Sequence, residues 1–153
     1  EMLRGVFHGA MRVYLDRFLN VPSAPLPVPP EAFDASGWAE EFPPRFLALL
    51  DTQQQVDAAG AMVYHYLTAG YPLAPLYRTL ITSLVREDAD FHSFQMLEGA
   101  LQQHRVLGPT HEGHLMLVAA ARFLAAHAPT QRELLQTATI ARRLHRGEAL
   151  WED

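Results

Sequence analysis

With 153 residues, 49% of them apolar, and a formal charge of −5, the chain is long enough to bury a core without staples. Its net acidity offers no attraction to nucleic acid or to an anionic membrane surface. It contains no cysteine, which excludes disulfides, thiolate zinc sites, cysteine nucleophiles and any cysteine-ligated iron–sulfur cluster within this chain, and leaves the redox compartment unreadable.

All twelve basic residues are arginines, so a lysine Schiff base and a P-loop lysine are excluded as well. No apolar run approaches the ~20 residues a membrane-spanning helix needs, and a soluble protein is expected, with the cytoplasm favoured. The chain enters helical periodicity at once, with no capping residue and no signal pattern in front. We read Glu1 as lying inside a longer polypeptide.

Leu3, Phe7, Ala10, Tyr14 and Phe18 recur at spacings of three and four and predict a helix over residues 2–19. A proline-rich crossover follows at residues 20–33, where five prolines favour an extended path and Val21, Leu26, Val28 and Phe33 predict that it lies against a surface. A short helix should begin at Pro43 and Pro44. Thr52 and Gln55 match a capping box for a helix that ends near Ala69 and Gly70.

Pro75 should open the next helix, with Leu76, Leu80, Ile81, Leu84 and Val85 inward. Another helix is expected from about Ala89 to Arg105, with Phe94, Leu97 and Leu101 inward, His92 outward and Glu98 at the edge of the apolar stripe. The sixth runs from about His111 to His127. Thr130 and Glu133 form a second capping box for the last helix, which ends at Gly147.

No segment shows sustained period-two alternation. The expected fold is all-α: one helical domain over 1–153, a bundle of about six main helices built from antiparallel αα-hairpins. The connections "AGYPLAP" and "AHAPTQ" favour antiparallel neighbours and hint at an internal echo between "YLTAGYP" and "FLAAHAP".

Eight histidines are the most conspicuous polar feature: His8, His65, His92, His104, His111, His114, His127 and His145. Histidine ligates metals and transfers protons near neutral pH. The motifs that usually organise such sites, Glu-x-x-His and His-Glu-x-x-His, are absent, and "HEGH" at 111–114 has the wrong spacing. His65 lies on a helix that is apolar nearly all round, which makes it a buried histidine needing a partner and the leading functional candidate of the eight.

His65 and His114 are the candidate metal ligands, and a transition metal is the cofactor class they admit; no cofactor is otherwise readable. Arg122 lies between Val118 and Ala126 on another all-round apolar helix and requires a carboxylate, with Glu98 the expected mate. A buried pair that sets helix register is one reading of these two residues, and a clamp for a substrate anion is the other. Neither Ser83 nor Ser93 sits in a nucleophile elbow, and there is no phosphate loop.

The segments "FHGAMRVYLDRFLNVP", "DADFHSFQMLEGA" and "IARRLHRGEALWED" resemble parts of bacterial proteins in which an all-helical region accompanies a Rieske-type iron–sulfur domain. The resemblance implies a redox context, with the cluster ligands outside this chain. Two functional readings follow. In the first, the chain is a helical domain of a redox-associated protein that contributes a buried His/Arg/carboxylate site of unknown substrate. In the second, it is a non-catalytic interaction or structural module. In either case the expected partner is another part of the same polypeptide or a protein subunit, not nucleic acid or a membrane.

Overall fold

A computed structural model of the chain describes residues 2–16, 18, 25–27 and 38–149. These residues form seven helices and no strand: α1 (Met2–Asp16), α2 (Trp38–Leu49), α3 (Val56–Thr68), α4 (Leu73–Val85), α5 (Phe91–Leu107), α6 (His111–Ala126) and α7 (Glu133–His145). Of the proline-rich crossover only residues 25–27 are described, and the tail at 150–153 also lies outside the described residues. The architecture is the expected all-α bundle, and none of the described helices is long and apolar enough to cross a membrane.

Helix α6 is the hub. It packs against α3 on one side and α5 on the other, and touches α4, while α2 closes over α3 and α4. The core comprises Phe42, Phe46, Leu50, Val63, Tyr66, Leu76, Leu80, Leu97, Leu101 and Leu117, with alanines of α3 and α6 between them. The partnership of α3 with α6 joins elements far apart in sequence. The short connection after α3 does not make α3 and α4 a packed pair, and neither α7 nor α1 packs extensively on any other helix.

Several boundaries move for identifiable reasons. Helix α2 begins at Trp38, a turn before Pro43 and Pro44, which lie inside it. Each proline removes one helical hydrogen bond. Aromatic packing offsets the loss: the Phe42 ring centroid lies 5.7 Å from Trp38, 5.4 Å from Phe46 and 4.5 Å from Tyr66. The Thr52–Gln55 capping box does not form. Gln54 takes a left-handed conformation (φ 62°) that turns the chain between the two residues, and α3 starts after Gln55 with no side-chain cap.

Helix α4 starts at Leu73, with Pro75 in its first turn. Leu76, Leu80 and Leu84 are buried as expected, but Ile81 and Val85 are exposed. The polar residues Thr79 and Ser83 take the inward positions, each donating its hydroxyl at 2.8 Å to the carbonyl four residues earlier. On α5, Ser93, Leu97, Leu101 and His104 are buried, whereas Phe94, expected in the core, is 48% exposed. His92 faces outward as expected.

Ser93 tolerates burial because Asp90 accepts both its backbone N–H (2.8 Å) and its hydroxyl (2.7 Å). The α5–α6 connection is only three residues long. Gly108 supplies a positive φ of 66° there, and Gly113 lets α6 close on it: a Cβ at Gly113 would stand 2.1 Å from the Gly108 carbonyl oxygen. Thr110 caps α6 by accepting the Gly113 N–H. Because backbone must shift to admit a methyl group, Gly113→Ala is expected to cost about 1–3 kcal/mol in urea denaturation.

Candidate functional site

The most heavily connected polar group is Glu87, just after α4, whose residue is 8% exposed. Its Oε1 accepts from Arg86 Nε at 2.9 Å and from Arg132 Nε and Nη2 at 3.0 and 2.8 Å. Its Oε2 accepts the backbone N–H and the hydroxyl of Thr130 at 2.8 and 2.9 Å. Both guanidinium groups also reach Asp51 at the end of α2, and Arg86 donates to the Leu47 carbonyl at 2.8 Å. One carboxylate therefore ties the ends of α2 and α4 to the segment that leads into α7.

Asp88 completes the clamp. It accepts the backbone N–H groups of Glu133 and Leu134 at 3.0 and 2.9 Å, and so caps α7 from outside the helix. The expected Thr130–Glu133 capping box is absent because Thr130 is engaged elsewhere: its hydroxyl donates to Glu87 and accepts from the Asp88 N–H. The residue before α7 is Arg132, in a left-handed conformation (φ 56°) that few non-glycine residues adopt. Its side chain is held there by Glu87 and Asp51.

Burial works to raise the Glu87 carboxyl, but the hydrogen bonds from Arg132 and Thr130 outweigh it and hold the group below its ordinary range. The Arg132 hydrogen bond lowers Asp51, and the Leu134 N–H, with that of Glu133, lowers Asp88. Glu87 and Asp51 in turn raise Arg132. All these groups are charged at neutral pH and mutually satisfied.

A cavity of about 190 Å³ adjoins the clamp, lined by Ser83, Asp90, Ser93, Phe123, His127 and Thr130 among others. Its chemistry is limited. Ser83, Ser93 and Thr130 already donate their hydroxyls within the fold, and no serine there is hydrogen-bonded to a histidine, so the nucleophile–base pairing of covalent catalysis is not assembled. His127 Nδ1 sits 2.8 Å from the Phe123 carbonyl, which orients the ring by donation from Nδ1–H.

A second polar cluster lies at the α5–α6 turn. His104, 2% exposed, has its Nδ1 2.6 Å from the Tyr77 hydroxyl, while its Nε2 is buried with no protein partner among the described residues. An unprotonated Nε2 is the tautomer that leaves no buried N–H orphaned, with Nδ1–H donating to Tyr77. The His114 ring lies nearly parallel to it, 6.4 Å away between centroids. Burial, then the neighbouring His114, lowers the His104 pKa; burial, then His111, lowers that of His114. Both rings are held neutral.

Arg122 does not meet Glu98. Its Nη2 donates to the Pro25 carbonyl at 2.6 Å and to Asp57 at 3.3 Å, and its stem crosses Gly60, where a Cβ would stand 2.7 Å from Nε. Glu98 is exposed on α5 and accepts from Gln102 one turn on, because the inward direction of that helix runs through Ser93 and His104. His65 is half-buried near the end of α3, and His114 is half-buried in the first turn of α6. Among the described residues no group of three or more histidine, aspartate or glutamate side chains converges on a metal position.

Sequence reading missed Glu87, Arg132 and His104. The contacts that define them are distant: apart from the adjacent Arg86, the partners of Glu87 lie 43 to 45 residues away, and that of His104 lies 27 away.

Two outcomes test this account. Glu87→Gln removes the buried negative charge that faces two guanidinium groups, leaving them Asp51 as their shared carboxylate, and should cost about 3 kcal/mol in chemical denaturation. Lowering the pH should destabilise the fold in two stages. The unfolded chain binds protons on His104 and His114 at their ordinary value of 6.5 while the fold resists, so the first loss begins as pH falls through 6.5 and is reduced in His114→Gln. The lowered carboxyls, ordinarily at 4.5 for Glu87 and 3.8 for Asp51 and Asp88, contribute stability above those values that is lost as pH falls through their folded pKa values. Thermal melts from pH 8 to pH 3 resolve both stages.

No family model, no curated protein and no solved structure matches the chain, and nothing in these comparisons bears on the resemblance to Rieske-associated helical regions.

Proposed function

We propose that the chain is a non-catalytic helical interaction module, in which α7 and α1 present apolar faces to another protein surface. The observation that carries this reading is the way α7 is held. Asp88 caps it and the Glu87–Arg132 contacts anchor its start, yet it contains no buried residue. Leu134 is 64% and Leu144 is 55% exposed, and Leu135 and Ile140 are exposed too. Helices normally owe their place in a protein to burial of an apolar face, and this one is positioned by polar contacts at one end. That geometry suits a helix offered to a partner.

Helix α1 repeats the pattern: Leu3, Phe7 and Tyr14 share one face, all exposed, with Val6 and Met11 on its flanks, also exposed. Such contiguous apolar area marks interaction surfaces. The alternative, a buried His/Arg/carboxylate site in a redox-associated chain, has Arg122 and Glu98 engaged with different partners. The resemblance nevertheless supplies one partner class, an iron–sulfur domain of the same polypeptide, which the interaction reading accommodates without a ligand from these residues.

The double variant L134Q/L144Q tests the reading, since glutamine keeps helix propensity and removes the apolar stripe. Its unfolding free energy should stay within about 0.5 kcal/mol of the parent chain. A loss above about 2 kcal/mol would mean that the stripe packs into the protein's own core, and the interaction reading would fail.

A further inference from the structure

We infer that the apolar stripe of α7 is covered by α7 of a second copy, the two helices lying antiparallel about a two-fold axis; this rests on reading α7 as a presented helix. At 100° per residue, Leu134, Ala138, Ala141 and Leu144 fall within about 120° of arc, and all four are exposed.

The stripe is self-complementary when reversed. Turned end for end, it sets Leu134 beside Leu144 of the other copy and Ala138 beside Ala141. Its small centre lets the two axes approach to about 8 Å, the close end of helix packing, while the leucines close over the ends. Because the surface is isologous, one contact covers the stripe on both copies and leaves nothing to propagate.

Charge selects the direction. The first helical residue is Glu133, and the last turn and cap carry Arg142, Arg143 and Arg146, of which the last two share Glu148 and leave that end net positive. Antiparallel pairing brings each acidic start beside the other copy's basic end and opposes the two helix dipoles, whereas parallel pairing would set three arginines against three. A 13-residue helix is about 20 Å long and buries less than the ~800 Å² per partner of a standard interface. The dimer is therefore weak, with a dissociation constant of the order of 10–100 μM.

Sedimentation equilibrium on the full chain across about 5–500 μM should show a monomer–dimer equilibrium in that range. Ala138→Arg should weaken association at least tenfold while leaving the unfolding midpoint unchanged. Because the chain has no cysteine, orientation is readable by cross-linking. An oxidised mixture of the Ala138→Cys and Ala141→Cys variants should give the mixed 138–141′ disulfide in preference to 138–138′. A chain that stays monomeric at the highest concentration, a dimer indifferent to Ala138→Arg, or a dominant 138–138′ cross-link each overturns the inference. These failures are separate from that of the interaction reading, which L134Q/L144Q tests by stability alone.

Discussion

The Glu87 carboxylate is the point on which the polar half of this structure turns. Burying a carboxylate without partners is costly, and Glu87 is tolerated in the interior because five donor contacts from three residues converge on its two oxygens. Those residues come from two stretches of chain, and through the shared Asp51 a third is drawn in. The same saturation makes the group inert. A carboxylate whose lone pairs are all engaged, and whose pKa is held low, neither takes up a proton near neutral pH nor coordinates an ion, so its role is to set the position of α7 relative to α2 and α4.

A second constraint acts on the apolar side, where α3 crosses α6. Ala59 and Gly60 on α3 face a helix rich in alanine, and the absence of a side chain at Gly60 opens the channel through which the Arg122 stem passes. The guanidinium emerges to hold Asp57 and the Pro25 carbonyl. Arg122 thereby couples the helix crossing to the proline-rich strand of chain between α1 and α2. Asp57, not Glu98, is the acidic partner of Arg122, and its side chain is 74% exposed, so the contact is not the buried pair expected from the sequence.

These two devices divide the molecule. Helices α2 to α6 share one core, and α1 and α7 contribute no buried apolar residue to it among the described residues. The apolar stripes of α1 and α7 are as regular as those of the core helices, so periodicity alone gives no warning that they remain exposed. The difference lies in what each stripe meets. Leu117 lies on α6, which has α3 and α5 packed against it, whereas Leu134 and Leu144 lie on α7, which packs extensively on no other helix among the described residues.

The amino-acid sequence by itself determined the helical class, the approximate span of most helices, and the turns at Gly70 and Gly147, because these follow from local periodicity and from the backbone freedom of glycine. It also determined what is excluded, since a chain without cysteine or lysine lacks the corresponding chemistry wherever it folds. Only the tertiary structure decided that Phe94 lies outside and His104 inside, that Thr130 serves Glu87 instead of α7, and that Arg122 pairs with Asp57. Each of these depends on a partner 27 to 97 residues away or on a rotation of a helix by part of a turn. Spacing along one helix carries no information about such partners; they are chosen when the helices pack.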